Sequence, residues 1–560
     1  MVIKTCNNNK YISTMTEIII NTELGQIKGV QRSNTLTNAA LYSFQGIPYA
    51  APPVGDLRFR PPQAHPGWEG TLDATKEGGI CVQNDVMLGM FESGSDDCLY
   101  LNVYSPCITA GANKAVMVFV HGGGFTFGHP AEVFYGPDWL VAKDVVLVAI
   151  HYRVNIFGFL NLGLEECPGN VGLRDIMASL QWVQANISDF GGDPNNVTLF
   201  GESAGAASIH YLLMAPSTRG LFHRVIMQSG SALDSWAFHT AEDNRDNGVA
   251  VAKLLGCQSE DSRSVLDFLK SQPALDLLKP QEQIVAAAAK SGKSLVFPFV
   301  PSVECTGLPE NRLVWDTPAV MLKQKLPSIP FLCGLNSQEG IIMLKHSPGA
   351  LTKVFDSLDR NFERTVPNNF QADRAKAKLI AAEIRQFYFK DRPIDMGAIN
   401  QYLDLYSDLL FALGHYETLF SYSQSNPGQG YAYVFSYEGE LNVFKNAVQM
   451  MYDLQIPGAS HVDELGYLFC VTMMGGVLKP GSTEEKVSEN IRTLWTNFAK
   501  NGVPNTETFT SWTPCSHNDI SYLDIGSTLS TKQGFVFSSR FAFWKNLYTS
   551  YQANFLKGNL

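Results

Sequence analysis

The stretch Val197-Thr198-Leu199-Phe200-Gly201-Glu202-Ser203-Ala204-Gly205-Ala206-Ala207 decides how this chain is read. Val197 to Phe200 is a short apolar run of strand length, the pattern of a strand covered on both faces. Ala204 to Met214 reads as a helix. Between them lies a G-x-S-x-G sequence. Where a strand turns this sharply into a helix, the Ser backbone is strained, and glycines on either side avoid collision with neighbouring backbone. The Ser203 hydroxyl is then held out above the sheet. Taken alone, five such residues also describe an ordinary Ser/Gly loop; the strand before and the helix after supply the context the chemistry requires.

Working outward, Val116 to Val120 and Val145 to Ile150 are two more continuous apolar runs, and Leu173 to Ile187 carries apolar residues at helical spacing. Asp193 to Asn196 reads as a turn. Strand and helix in alternation predict a parallel sheet covered on both sides. Before it, Leu24 to Tyr104 reads as an extended, partly antiparallel lead-in. Beyond Pro216 come many helical segments, such as Leu379 to Phe389 and Tyr402 to Tyr422, with no internal repeat. The fold class is therefore α/β: an α/β-hydrolase fold whose central, mostly parallel twisted sheet is flanked by helices and enlarged by helical insertions. Residues 16–560 are expected to form one domain, after an N-terminal extension, 1–15, that carries little structure.

Composition bounds the partners. The 560 residues hold 42 Lys and Arg against 53 Asp and Glu, a net charge of −11, and no basic run, which argues against nucleic acid. Apolar stretches fall far short of the ~18 residues of a bilayer span. Charged residues make up 17%, while Phe, Tyr and Trp number 34, 21 and 8, so a large aromatic core is implied. Met1 to Lys10 contains no apolar signal region, and a cytoplasmic location is expected. The ten cysteines show no zinc spacing and are expected to be mostly buried free thiols, with Cys81 and Cys98 the one pair to watch.

A second chemical element is His121-Gly122-Gly123-Gly124-Phe125, directly after an apolar strand. Acyl transfer passes through a tetrahedral oxyanion, which preorganised backbone N–H groups stabilise, and glycines let the backbone come close. The phosphate-loop alternatives fail. Phe127 stands where a G-x-G-x-x-G would need its last Gly, and Ser291-Gly292-Lys293-Ser294 lacks its first Gly, the residue there being Ala287. No cofactor and no metal are expected. A Ser nucleophile needs a base, and the order Ser, acid, His leaves seven histidines: 210, 223, 239, 346, 415, 461 and 517. His461, on the Pro457-Gly458 loop, is the best placed, since such a loop can reach over a strand end. Glu339, just after the apolar run Phe331 to Leu335, suits the carboxylate that orients the imidazole.

Together with Asp96 to Val103, Gly191 to Pro194 and Leu465 to Phe469, these motifs make the chain resemble the type-B carboxylesterase/cholinesterase family over about Thr22 to Trp544, with the nearest likeness to insect intracellular, detoxifying carboxylesterases. The resemblance implies a triad of Ser203, Glu339 and His461, and an oxyanion hole from the N–H groups of Gly123, Gly124 and Ala204. It also implies structural pairs Arg58–Asp97 and Arg153–Asp175, and an acyl-pocket wall at Phe297. The expected partners are small apolar carboxylic esters as substrates and organophosphates as inhibitors, on a monomer or weak homodimer. Val82 to Asp97 contains no Trp, which argues against choline esters. Glu202 stands where the likeness to juvenile hormone esterases would put Gln, which argues against a dedicated hormone esterase. The competing readings are a catalytically inactive interaction protein of the same fold, and an enzyme that protects mainly by sequestering organophosphates.

Overall fold

The computed structural model describes residues 15–553 except 86–89, 292–296, 306–310, 325, 345–347, 473–477, 507, 508, 510 and 517. The expected N-terminal extension and two of the candidate bases, His346 and His517, lie outside the described residues. One large sheet organises the chain. Its strands are β1 (Thr16–Thr22), β2 (Gly25–Ser33), β3 (Ala40–Pro48), β4 (Tyr100–Ser105), β5 (Lys114–Val120), β6 (Val146–Ile150), β7 (Gly192–Glu202), β8 (Arg224–Gln228), β9 (Phe331–Asn336), β10 (Gly430–Phe435), β11 (Ser521–Ile525) and β12 (Leu529–Gln533). In space they run β1-β2-β3-β4-β6-β5-β7-β8-β9-β10-β11-β12, with Thr71–Asp73 added beside β2. From β6 to β11 all neighbours are parallel; the strands before β6 and the last strand pair antiparallel. This is the mostly parallel sheet of the α/β-hydrolase fold, preceded by the expected antiparallel lead-in.

The apolar runs explain why the middle of the sheet is parallel and buried. In β5, Val116, Val118 and Val120 pack into the core on one face while Met117 and Phe119 pack into the core on the other. Both faces are covered by helices, so period-2 alternation of polar and apolar residues is absent. Helix α1 (Val171–Asn186) presents Leu173, Ile176, Leu180 and Val183 to the first core. Helix α2 (Ala204–Met214) is buried along its whole length, which is why it has no polar stripe. Each large aliphatic side chain buried here contributes roughly 1.5–3 kcal/mol.

Three local expectations are corrected. Asp193 to Asn196 is not a turn but part of β7, where the step from Gly192 to Val197 faces only Lys114 to Val116 of β5 and the surplus is taken up as a bulge. The helix expected over Tyr402 to Tyr422 is broken into α4 (Ile399–Ser407) and α5 (Leu413–Ser425) by a π-turn at Asp408–Ala412. Arg58 pairs with Asp96, not Asp97: its Nη2 lies 2.6 Å from Asp96 Oδ2, while Asp97 accepts a 2.7 Å hydrogen bond from the Tyr100 hydroxyl. Cys81 and Cys98, the pair the sequence leaves open, form a disulfide, and the other seven described cysteines are free thiols.

Arg153 and Asp175 do pair, through Nε–Oδ2 at 2.8 Å and Nη2–Oδ1 at 2.7 Å, with both side chains buried. The Arg153 backbone N–H donates to the same carboxylate. A buried guanidinium without its partner is costly, so Asp175→Ala is expected to lower stability by about 3–5 kcal/mol. The urea midpoint of unfolding, compared with that of an exposed control such as Asp246→Ala, checks this.

Candidate active site

Ser203 sits at the end of β7, with φ 56° and ψ −122°, immediately before α2. Such a conformation costs roughly 1–3 kcal/mol for a non-glycine residue and persists only when its surroundings fix it. Here the Ser203 N–H donates to Gln228 O at 2.8 Å, and the Ser203 carbonyl accepts from the Ala207 N–H at 2.9 Å. The flanking glycines are required by space: a Cβ at Gly205 would stand 2.1 Å from the Val120 carbonyl oxygen, and one at Gly201 2.5 Å from the same atom. The side chain of Ser203 is left with 8% exposure beside the Gly122 loop.

Glu339 and His461, the candidate acid and base, come from the connections after β9 and β10, at the same end of the parallel sheet. Glu339 is fully buried, and its Oε2 lies 2.8 Å from His461 Nδ1. Its Oε1 accepts from the Ser229 hydroxyl and the Asn336 N–H, each at 2.6 Å. The His461 loop is tied down on both sides. Gln338 N–H donates to Ala459 O, Ala459 N–H donates to Ser337 Oγ, and Asn336 Nδ2 donates to Ser460 O. Phe411 of the π-turn covers the imidazole, with ring centroids 4.4 Å apart.

The other nitrogen of His461, Nε2, faces Glu202 Oε1 at 3.0 Å. Among the described residues, Ser203 Oγ and His461 share no hydrogen bond; the structure joins His461 to Glu339 and to Glu202, and Ser203 follows Glu202 in the chain. Burial favours the neutral ring, but the Glu202 and Glu339 carboxylates outweigh it and push His461 up to about 9. Glu202 is itself pushed up to about 8, because burial, joined by the charges of Glu464 and Glu339, opposes ionisation more than His461 favours it. Glu464 is buried behind this group, held by Gln228 Nε2 at 2.9 Å and Asn336 Nδ2 at 2.5 Å.

Gly123 and Gly124 have φ of 108° and 59°, and a Cβ on Gly123 would stand 2.0 Å from Phe127 O. Gly123 O caps the turn by accepting from the Thr126 N–H at 2.9 Å and from the Thr126 hydroxyl at 3.0 Å. Among the described residues, no acceptor takes the N–H groups of Gly123, Gly124 or Ala204. Phe297 lies over this loop, its ring 2.3 Å from where a Gly124 Cβ would be. Its edge meets Trp236 at 6.1 Å, and Trp236 in turn neighbours Phe125 and Phe411.

The structure thus brings Glu339 and His461 into contact and gathers Ser203, Gly123, Gly124, Ala204 and Phe297 around the adjoining loops. Of the other candidate bases, His210 is bonded to Ser231 and His223 to the Val197 N–H. Sequence reading missed Ser229, Trp236, Phe411 and Glu464, and used Glu202 only as a marker of substrate class. The signal that points to Ser229 and Trp236 is their place just after a parallel strand, since sites of such sheets gather at the strands' carboxyl ends. Nothing local in sequence marks Phe411 or Glu464. No group of three or more His, Cys, Asp or Glu suited to a metal ion occurs among the described residues.

Known proteins agree with this architecture. The sequence pattern of the Carboxylesterase family matches residues 16–544. Esterase FE4 of Myzus persicae is 34% identical over 495 residues, covering 86% of this chain and 84% of that protein. The juvenile hormone esterase of Tribolium castaneum is 32% identical over 515 residues, covering 89% and 86%. The crystal structure of juvenile hormone esterase from Manduca sexta, with OTFP covalently attached, superposes with a TM-score of 0.85 at 28% identity, covering 95% of this chain and all of that one. The chain belongs to the carboxylesterase family, and its reaction is the hydrolysis of carboxylic esters.

Proposed function

We propose that this enzyme hydrolyses small apolar carboxylic esters through an acyl-Ser203 intermediate. The observation that carries the reading is the buried 2.8 Å contact between Glu339 and His461, formed at the sheet end where Ser203 is held in its strained turn. Ser203 Oγ attacks the ester carbonyl carbon, and its proton passes to His461 Nε2. The oxyanion is met by the N–H groups of Gly123, Gly124 and Ala204. Collapse breaks the bond to the alkoxide, which takes the proton from His461 and leaves as the alcohol. Water, deprotonated by the same imidazole, then attacks the acyl carbon, and as the acyl–oxygen bond breaks the imidazolium returns its proton to Ser203 Oγ and the carboxylic acid leaves. Glu339 fixes the ring and stabilises its charged form. To engage Ser203, His461 Nε2 exchanges Glu202 Oε1 for the neighbouring hydroxyl.

The substrate class rests on the walls. Phe297, Trp236, Phe411 and Phe125 give an aromatic, uncharged surface beside the glycine loop, suited to an apolar acyl group. An organophosphate presents a tetrahedral phosphorus to the same nucleophile and so acts as inhibitor, with sequestration as one route to detoxification. The likeness to juvenile hormone esterases adds a longer apolar ester as a second substrate class, while Glu202 in the nucleophile motif favours the general esterase. The Cys81–Cys98 disulfide favours an oxidising compartment over the cytoplasmic one expected from the N-terminal sequence.

Incubation with diethyl p-nitrophenyl phosphate followed by peptide mass spectrometry is expected to place one phosphoryl adduct on Ser203 and to abolish esterase activity; label elsewhere, or a Ser203→Ala variant that keeps its activity, refutes the assignment. A second outcome follows from the electrostatics. The general base must be neutral, and Glu202 raises its pKa, so kcat/KM falls as pH drops through that raised value. Glu202→Gln removes the carboxylate facing Nε2, and the acid limb of the pH profile is expected to move about one unit or more to lower pH.

A further inference from the structure

The π-turn at Asp408–Ala412 has a use that the triad does not explain. Such a turn adds a residue's worth of winding inside a helix and shifts the phase of everything beyond it by about 100°. Here that shift lets α4 bury Tyr402, Leu403 and Leu405 while the turn delivers Phe411 to the face of His461. The turn also receives the loop after β8. Trp236 Nε1 donates to Leu410 O at 2.8 Å, and the Ser235 hydroxyl donates to Leu409 O at 3.2 Å. Asp234 abuts Gly414 at the turn's exit, where a Cβ would lie 2.1 Å from its Oδ1. Two residues of the acyl-side loop are therefore bonded to this irregular turn, and a third packs on the start of α5 that follows it.

Asp408 opens the turn, and it is fully buried. Its Oδ2 accepts from the Tyr388 hydroxyl at 2.5 Å and from Trp544 Nε1 at 3.3 Å, and its Oδ1 lies 3.0 Å from Arg540 Nε. Tyr388 belongs to helix α3 (Arg374–Tyr388), and Arg540 and Trp544 to helix α6 (Ser538–Ser550), so two helices converge on this one carboxylate of the π-turn. Tyr388 and Arg540 line an outer cleft of about 340 Å³, whose lining includes none of the candidate catalytic residues. Arg540 also pairs with Asp404, which accepts from Gln338 Nε2 beside Glu339. That second route leads to the catalytic acid; the route through Asp408 leads to Phe411 and Trp236.

The geometry points to Asp408 as a positioning residue that sets acyl-group selectivity from outside the pocket: anchored by Tyr388 and Arg540, it fixes the π-turn on which Trp236 and Phe411 are aligned. This rests on the reading of the Phe297 and Trp236 side as the acyl pocket. An aromatic wall displaced by about 1 Å changes the fit of long and short acyl groups unequally, whereas a general loss of stability lowers turnover of all of them alike.

The experiment is kcat/KM for p-nitrophenyl esters from acetate to octanoate, on the full-length enzyme and on Asp408→Asn, Tyr388→Phe and Phe297→Ala. Tyr388→Phe keeps the ring and removes only the hydroxyl on Asp408, and it reads the effect even where Asp408→Asn does not fold. Both distal variants are expected to change the octanoate-to-acetate ratio about tenfold, with the acid limb of the pH profile left where it is in the unmodified enzyme. A ratio constant within about twofold in both, while Phe297→Ala shifts it, overturns the role of Asp408 and leaves the pocket standing. A ratio that Phe297→Ala also fails to move overturns the pocket assignment and this inference together.

Discussion

The structure depends on how closely helix α2 is seated against the end of β5. At Gly201 and Gly205 there is no room for a methyl group beside the Val120 carbonyl, and that approach accompanies the strained positive-φ conformation at Ser203. The strain is local, but it is held by parts distant in sequence. Gln228 at the end of β8 takes the Ser203 N–H, and the all-round burial of α2 keeps the helix from relaxing outward. A hydroxyl raised above the sheet in this way is of use only if a base and an acid arrive at the same edge. The parallel pairing of β7 to β10 ensures that, since every connection after a parallel strand leaves from the same end of the sheet.

Around this edge lies an unusual density of buried carboxyl groups. Glu202 and Glu339 contact one imidazole, with Glu464 buried close by, and burial raises the pKa of Glu202 and of Glu464. Their number is tolerable because each has partners: Ser229 and Asn336 for Glu339, Gln228 and Asn336 for Glu464, and His461 for Glu202. The carboxyl groups around the ring favour its charged form over the neutral one. The aromatic walls on the other side keep water away from the same charges and so strengthen their effect.

Much of the core could be read without coordinates. The two-sided burial of β5, β6 and β7 is written as continuous apolar runs, and α2 follows the motif with the bounds expected of it. Where reading failed, long-range partners had overridden local signals. Asp193 to Asn196 were absorbed into a bulge because Gly192 and Val197 on either side of them pair with β5, and the long helix from Tyr402 is interrupted where it meets the loop after β8 and the Asp408 cluster. Arg58 chose Asp96 over Asp97 because Tyr100 had already taken the latter.

The sequence by itself determined the α/β order, the strained serine turn, the glycine loop, and histidine and carboxylate candidates in the required order, since each of these is a local pattern of residue type and spacing. Only the tertiary structure decided that Glu339 among 53 carboxylates touches His461, that Glu202 faces the other nitrogen, and that Trp236, Phe297 and Phe411 form one wall. The physical reason is that hydrogen bonds and ring contacts act over a few ångströms, between residues brought together by a sheet whose neighbouring strands lie far apart along the chain. No spacing within the sequence encodes that proximity.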